Sequence, residues 1–197
     1  MQVDPQVPNP LPIDEEPKYG LMALIRSDLR GKADWLYGAC TRKEIVKVLF
    51  TDGTFAMIVY RLMQASQRRR LLPLAMIFNK LNTMFGDCII GRGADFGPGF
   101  VLIHSFGVVI NGSVRGGRDV KIEHLVTIGA ERNTSPRLGS NLFIGAGAKI
   151  IGGLNIGCNV KIGANAVVVH DLPDNVTAVG IPAKIVVPKQ HAATNEV

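Results

Sequence analysis

The chain has 197 residues, enough for one sizeable core or two small ones, with 47% hydrophobic residues and a formal charge of +6. Aromatics make up only 6% and the basic residues form no stripe interleaved with them, so nucleic acid is not the expected partner; an anionic small molecule accounts for the charge. Three dispersed cysteines (Cys40, Cys88, Cys158) and an opening stretch without an apolar run argue against a disulfide framework and a secretory signal, and point to the cytoplasm. Residues 1–19 are polar and proline-rich and are expected to form a flexible tail. Residues 20–86 are expected to be helical. Over 21–37, Leu21, Leu24, Ile25 and Leu29 share one face and charges take the other. Residues 41–50 and 53–66 continue the pattern, with a break at Thr51-Asp52-Gly53. Arg68-Arg69-Arg70 followed by LLPLAMIF reads as a helix turn and another packed helix, with membrane-surface contact as the lesser alternative.

From Ile90 the pattern changes to a six-residue beat. Apolar anchors recur at Ile90, Phe96, Leu102 and Val108, then at Ile122, Ile128, Leu138, Ile144, Ile150, Ile156, Ile162 and Val168. A short exact period means stacked rungs, three to a triangular coil, with each coil burying its anchors on the next. A helix is excluded, because anchors six apart drift around a 3.6-residue spiral. Two slips are expected: eight residues separate Val108 from Gly116, an anchor position without a side chain, and ten separate Ile128 from Leu138, where AERNTSPR protrudes. The β-helix with its C-terminal extension is expected over 87–187, and 188–197 as a loose tail.

The beat places His104 two residues after Leu102 and His124 two after Ile122, one coil apart on the same edge. Strands of adjacent coils lie about 4.8 Å apart, so the two rings should be neighbours. A neutral imidazole can act as general base on an alcohol attacking an activated acyl group. A polar ladder at a coil corner is the structural alternative. Metal binding is disfavoured, since two histidines are too few and no further ligand has suitable spacing. No G-x-S-x-G nucleophile is present, which favours direct transfer over a covalent acyl-enzyme.

LIHSFGVVING, IEHLVTIGA, IGAGAKI and GIPAKIV follow one another in the order seen in hexapeptide-repeat acyltransferases. Over about residues 53–187 the chain resembles their serine acetyltransferase-like branch. The resemblance implies a left-handed parallel β-helix after an α-helical region, homotrimers that can pair into hexamers, and acetyl-CoA as co-substrate without a metal. His104 matches the catalytic base. Asp87 and Glu123 are candidates to orient it, with Asp87 two residues before Ile89, where the family's orienting Asp falls. Gly129, Gly145, Ala146 and Gly147 match the edge lining the pantetheine arm, and Lys149 and Lys184 match contacts to phosphate or adenine.

Departures bear on the acceptor. Ile103 stands where serine acetyltransferases carry an Asp before the base, and Ser135 stands where they carry a substrate-binding His before a Pro. The shortened loop and IEHLVTIG resemble the branch that acetylates sugars in polysaccharide assembly, with His124 and Phe106 as substrate contacts. A sugar O-acetyltransferase is therefore the first expectation and serine O-acetylation the second. A non-catalytic trimeric scaffold and a metal-dependent hydratase on the same coil are the readings from other classes.

Overall fold

The computed structural model describes residues 19–186, so the tails expected over 1–19 and 188–197 lie outside the described residues, Tyr19 excepted. Four helices come first: α1 (Leu21–Tyr37), α2 (Arg42–Val48), α3 (Thr54–Arg68) and α4 (Leu72–Phe85). Short strands then wind into a three-faced solenoid of about five turns. Its faces are sheets of five, four and six strands. Parallel pairing stacks Ile90, Ile110, Ile128, Ile150 and Val168 on the first face. The second stacks Phe96, Gly116, Leu138 and Ile156, and the third Leu102, Ile122, Ile144, Ile162 and Ala178. Nearly all of these side chains are buried in one continuous core. A final strand, Lys184–Val186, turns back antiparallel on Thr177–Val179.

The register corrects the position of the first slip. Ile90 pairs with Ile110 and Val108 with Cys88, so Ile110 is the true rung partner. The two extra residues therefore lie between Leu102 and Ile110, in the turn that carries His104, and not after Val108. Val108 is buried as well, which is why the beat passed through it unnoticed. Gly116 has an equally local explanation. A Cβ there would lie 2.3 Å from Cδ1 of Phe96, whose ring fills the anchor space of both rungs. Gly116→Ala should cost about 1–3 kcal/mol by overpacking, read as a lower urea midpoint.

The helices are keyed to the first coil. Arg61 of α3 and Asp28 of α1 form a buried ion pair, Nε to Oδ2 2.6 Å, that also grips the coil backbone. Tyr60 packs on Phe96 and Phe100, with ring centroids 6.2 and 4.8 Å away. α1 crosses the third face, stacking Trp35 on Phe143 at 5.2 Å. Its inward stripe differs from the apolar face read from the sequence: Leu24, Asp28, Lys32 and Ala33 are buried, whereas Leu21, Ile25 and Leu29 are half-buried. α4 buries Ala75 and Asn82, and it exposes Leu72, Leu74, Met76, Ile77, Met84 and Phe85. Arg68 pairs with Asp95 at 2.7 Å. Among the described residues no helix is long and apolar enough to cross a membrane.

Candidate active site

In the widened turn after Leu102, Ile103 is buried at 4% exposure while the next side chain, His104, emerges half exposed. Pairing of Leu102 with Ile122 puts His124 on the coil above it. The two rings meet edge to face with centroids 6.0 Å apart. The Gly147 amide donates to the His124 carbonyl at 2.9 Å, which ties the second ring's backbone to the third coil.

The carboxylate on the His104 ring is Asp52, whose Oδ2 lies 3.3 Å from Nδ1. It comes from the turn between α2 and α3, 52 residues away in sequence. Neither expected orienter, Asp87 or Glu123, makes a side-chain contact with this ring among the described residues. Glu123 sits against the other ring, Oε2 3.5 Å from His124 Nδ1. Asp87 reaches the corner through its backbone, its carbonyl accepting from the Gly107 amide at 2.8 Å. The tautomer with its proton on Nδ1 would donate to Asp52 and leave the Nε2 lone pair free. The contact is long and the Asp52 side chain is 81% exposed, so its hold on the ring is weak. Asp52→Ala should lower kcat about 10-fold with acetyl-CoA KM unchanged. An unchanged kcat would remove Asp52 from the site.

The remaining candidates divide by location. Phe106 is exposed on the same turn as His104. Ser135 is not brought to this corner; its hydroxyl lies 2.5 Å from that of Ser113 and 3.4 Å from Asn111 Oδ1, beyond the far end of the 108–110 strand. Along the edge, the Gly145 and Gly147 amides are spent inside the coil, on the carbonyls of Ile162 and His124. Gly145 is there for close approach, since a Cβ would lie 2.7 Å from Ala164 N. Gly129 and Ala146 are half-buried on neighbouring rungs. Lys149 donates to the Leu125 carbonyl at 2.5 Å, and Lys184 is exposed near the end of the solenoid. Among the described residues no three His, Cys, Asp or Glu side chains gather as a metal site.

Two residues escaped the sequence reading. Asp52 reads as a helix break, and no spacing links it to His104. Lys32 reads as a solvent-facing lysine on α1, yet it is fully buried and donates to the carbonyls of Asp52 and, at 2.8 Å, Leu102.

Stacked hexad coils with an exposed, carboxylate-backed histidine at a corner define a hexapeptide-repeat acyltransferase. No family model matches the chain. It is 36% identical over 172 residues to a serine acetyltransferase of Helicobacter pylori, covering 85% of this chain and 95% of the relative. A soybean serine acetyltransferase complexed with serine superposes with a TM-score of 0.76 at 32% identity, covering 84% of this chain and 69% of that one. A serine acetyltransferase in complex with CoA gives 0.72 at 30% identity, covering 82% and 68%. The chain belongs to the serine acetyltransferase family. These relatives carry no support for the polysaccharide branch expected from the shortened loop.

Proposed function

We propose that this chain transfers the acetyl group of acetyl-CoA to the hydroxyl of L-serine, the second of the two acceptors expected from the sequence. The observation that carries the reading is the His104 ring, open on Nε2 and held by Asp52 on Nδ1. Nε2 takes the hydroxyl proton as the serine oxygen attacks the thioester carbonyl. The tetrahedral adduct expels the CoA sulfur, and the proton on Nε2 goes to that leaving thiolate. His104 thus ends as it began, and no covalent enzyme intermediate forms.

The sugar expectation rested on the charge lost at Ile103. That side chain is buried at 4% exposure. Asp52 and Glu123 both present carboxylates at the same corner and offer the serine ammonium its counter-charge. His124 and Phe106 flank the acceptor in this reading, and Ser135 has no part in it within the same chain. For the co-substrate, the edge at Gly129 and Ala146 lines the pantetheine arm. Lys184 suits a phosphate better than Lys149, whose amine is already engaged by Leu125. The working form is a homotrimer in the cytoplasm, with acetyl-CoA in the cleft between neighbours. The exposed Ile89, Val109 and Leu125 near the His104 corner support that association; pairing of trimers would give a hexamer.

The test is thiol release from acetyl-CoA with L-serine and with a panel of sugars and nucleotide sugars. Turnover with serine is expected, and turnover confined to a sugar would overturn the acceptor. Acetyl-CoA at 100 times its Kd should stabilise the fold by about 2.7 kcal/mol; no shift in melting would favour the scaffold.

A further inference from the structure

Lys32 is an unusual residue to find fully buried. Among the described residues it has no ion-pair partner, and its ammonium rests on two backbone carbonyls. These belong to Asp52 and to Leu102, two residues before His104. The same junction is tight from the other side. Gly53 adopts φ +75°, and a Cβ there would lie 2.6 Å from the Leu102 carbonyl oxygen. The turn bearing Asp52 is therefore seated on the coil edge at Leu102 by two separate contacts. One turn of α1 away, Asp28 fixes the next stretch of the same coil by accepting from the Gly99 and Phe100 amides at 3.0 Å. Burial pushes the Lys32 ammonium down to about 8 while the Asp52 charge pulls it back up. A burial that unfavourable to the charge calls for a reason beyond packing, which an apolar side chain would serve as well.

We infer that Lys32 is a positioning residue: its ammonium pins the Asp52 turn to the Leu102 edge and so keeps the Asp52 carboxylate on His104. This rests on the reading of His104 as the base. Lys32 touches no substrate; it acts through Asp52. Its effect is bounded accordingly, since removing it cannot cost more through this route than removing Asp52 itself.

The experiment is NMR of protein labelled with 15N in histidine, comparing wild type, Asp52→Ala, Lys32→Met and the double variant. In the wild type the His104 ring should carry its proton on Nδ1. Lys32→Met should lose that tautomer bias to the same extent as Asp52→Ala, and the double variant should lose no more. The kcat of Lys32→Met should fall about 10-fold, with little further loss in the Asp52→Ala background. A wild-type His104 spectrum in Lys32→Met, or equal kcat losses in both backgrounds, would overturn the inference. Should Lys32→Met fail to fold, Lys32→Ala removes the same ammonium with less bulk in the site. It should give the same His104 signature, and a wild-type spectrum from it overturns the inference equally. His104→Ala is assayed alongside. Full activity in that variant would sink the base reading, whereas the tautomer comparison judges Lys32 independently of any acceptor.

Discussion

His104→Ala should lower kcat for acetyl transfer by about 10²–10⁴-fold, the range general-base catalysis supplies. The half-exposed ring lies at the surface, with Asp52 on one nitrogen and the other free. Its removal opens no cavity in the core, so melting should stay close to wild type. Acetyl-CoA binding should also survive, because the coil edge proposed for the pantetheine arm is built from Gly129, Ala146 and their neighbours. The signature is therefore a kcat loss with little change in the KM for acetyl-CoA, the pattern of an interaction made in the transition state. His124→Ala separates the two rings. His124 stands 6.0 Å from His104, with its own carboxylate neighbour. Its loss should act mainly on the acceptor KM. A larger kcat loss for His124→Ala than for His104→Ala would exchange their roles.

The coil and the histidine pair were legible because both follow from a short period. Each rung repeats the demand for an apolar anchor, so an error at Val108 left the neighbouring coils in register. The same regularity hid the bulge at the His104 turn, since Val108 and Ile110 are both buried on one strand and either can be taken for the anchor. What the sequence could not show is what joins distant segments. The apolar face drawn on α1 placed Asp28 and Lys32 in solvent, because charges are normally solvated. Their burial becomes favourable only when the coil supplies amides at Gly99 and Phe100 and the carbonyl of Leu102, and the α2–α3 turn the carbonyl of Asp52. Asp52 was invisible for the same reason. A carboxylate that meets its histidine across 52 residues leaves no local pattern. The preference for a sugar acceptor over serine rested on Ile103, and the relatives favour the second of those expectations. Identity at one position was read as chemistry at the site, whereas that side chain is buried at 4% exposure.

Arg61→Met should be the most destabilising single change in the helical region, at about 3–5 kcal/mol, because it strands the buried Asp28 carboxylate. For a chain of this size that corresponds to a fall in Tm of roughly 6–20 °C. Arg61 does more than neutralise a charge. Its Nη1 donates to the Phe96 carbonyl at 2.8 Å and to Gln64 Oε1 at 2.9 Å, and its Nη2 donates to the Gly97 carbonyl at 2.6 Å. Replacing a buried ion pair by apolar residues is often neutral when the pair is self-contained. Here the double change Asp28→Leu with Arg61→Met would leave the Gly97 carbonyl and the amides of Gly99 and Phe100 without these partners, while the Phe96 carbonyl would keep only the donor on Gln64 Nε2 at 3.2 Å. Each orphaned buried group costs about 1–3 kcal/mol. The double variant should therefore remain as unstable as the single one, and urea unfolding followed by circular dichroism reads the difference. Recovery to wild-type stability would mean that the pair serves only itself and that the coil turn is held by packing. The exposed pair Arg68–Asp95 is the internal control, and Arg68→Ala should cost less than about 1 kcal/mol. Because the gripped turn runs directly into Leu102 and His104, loss of Arg61 should also lower kcat at temperatures where the fold persists. That decline should track local opening of the first coil in hydrogen exchange.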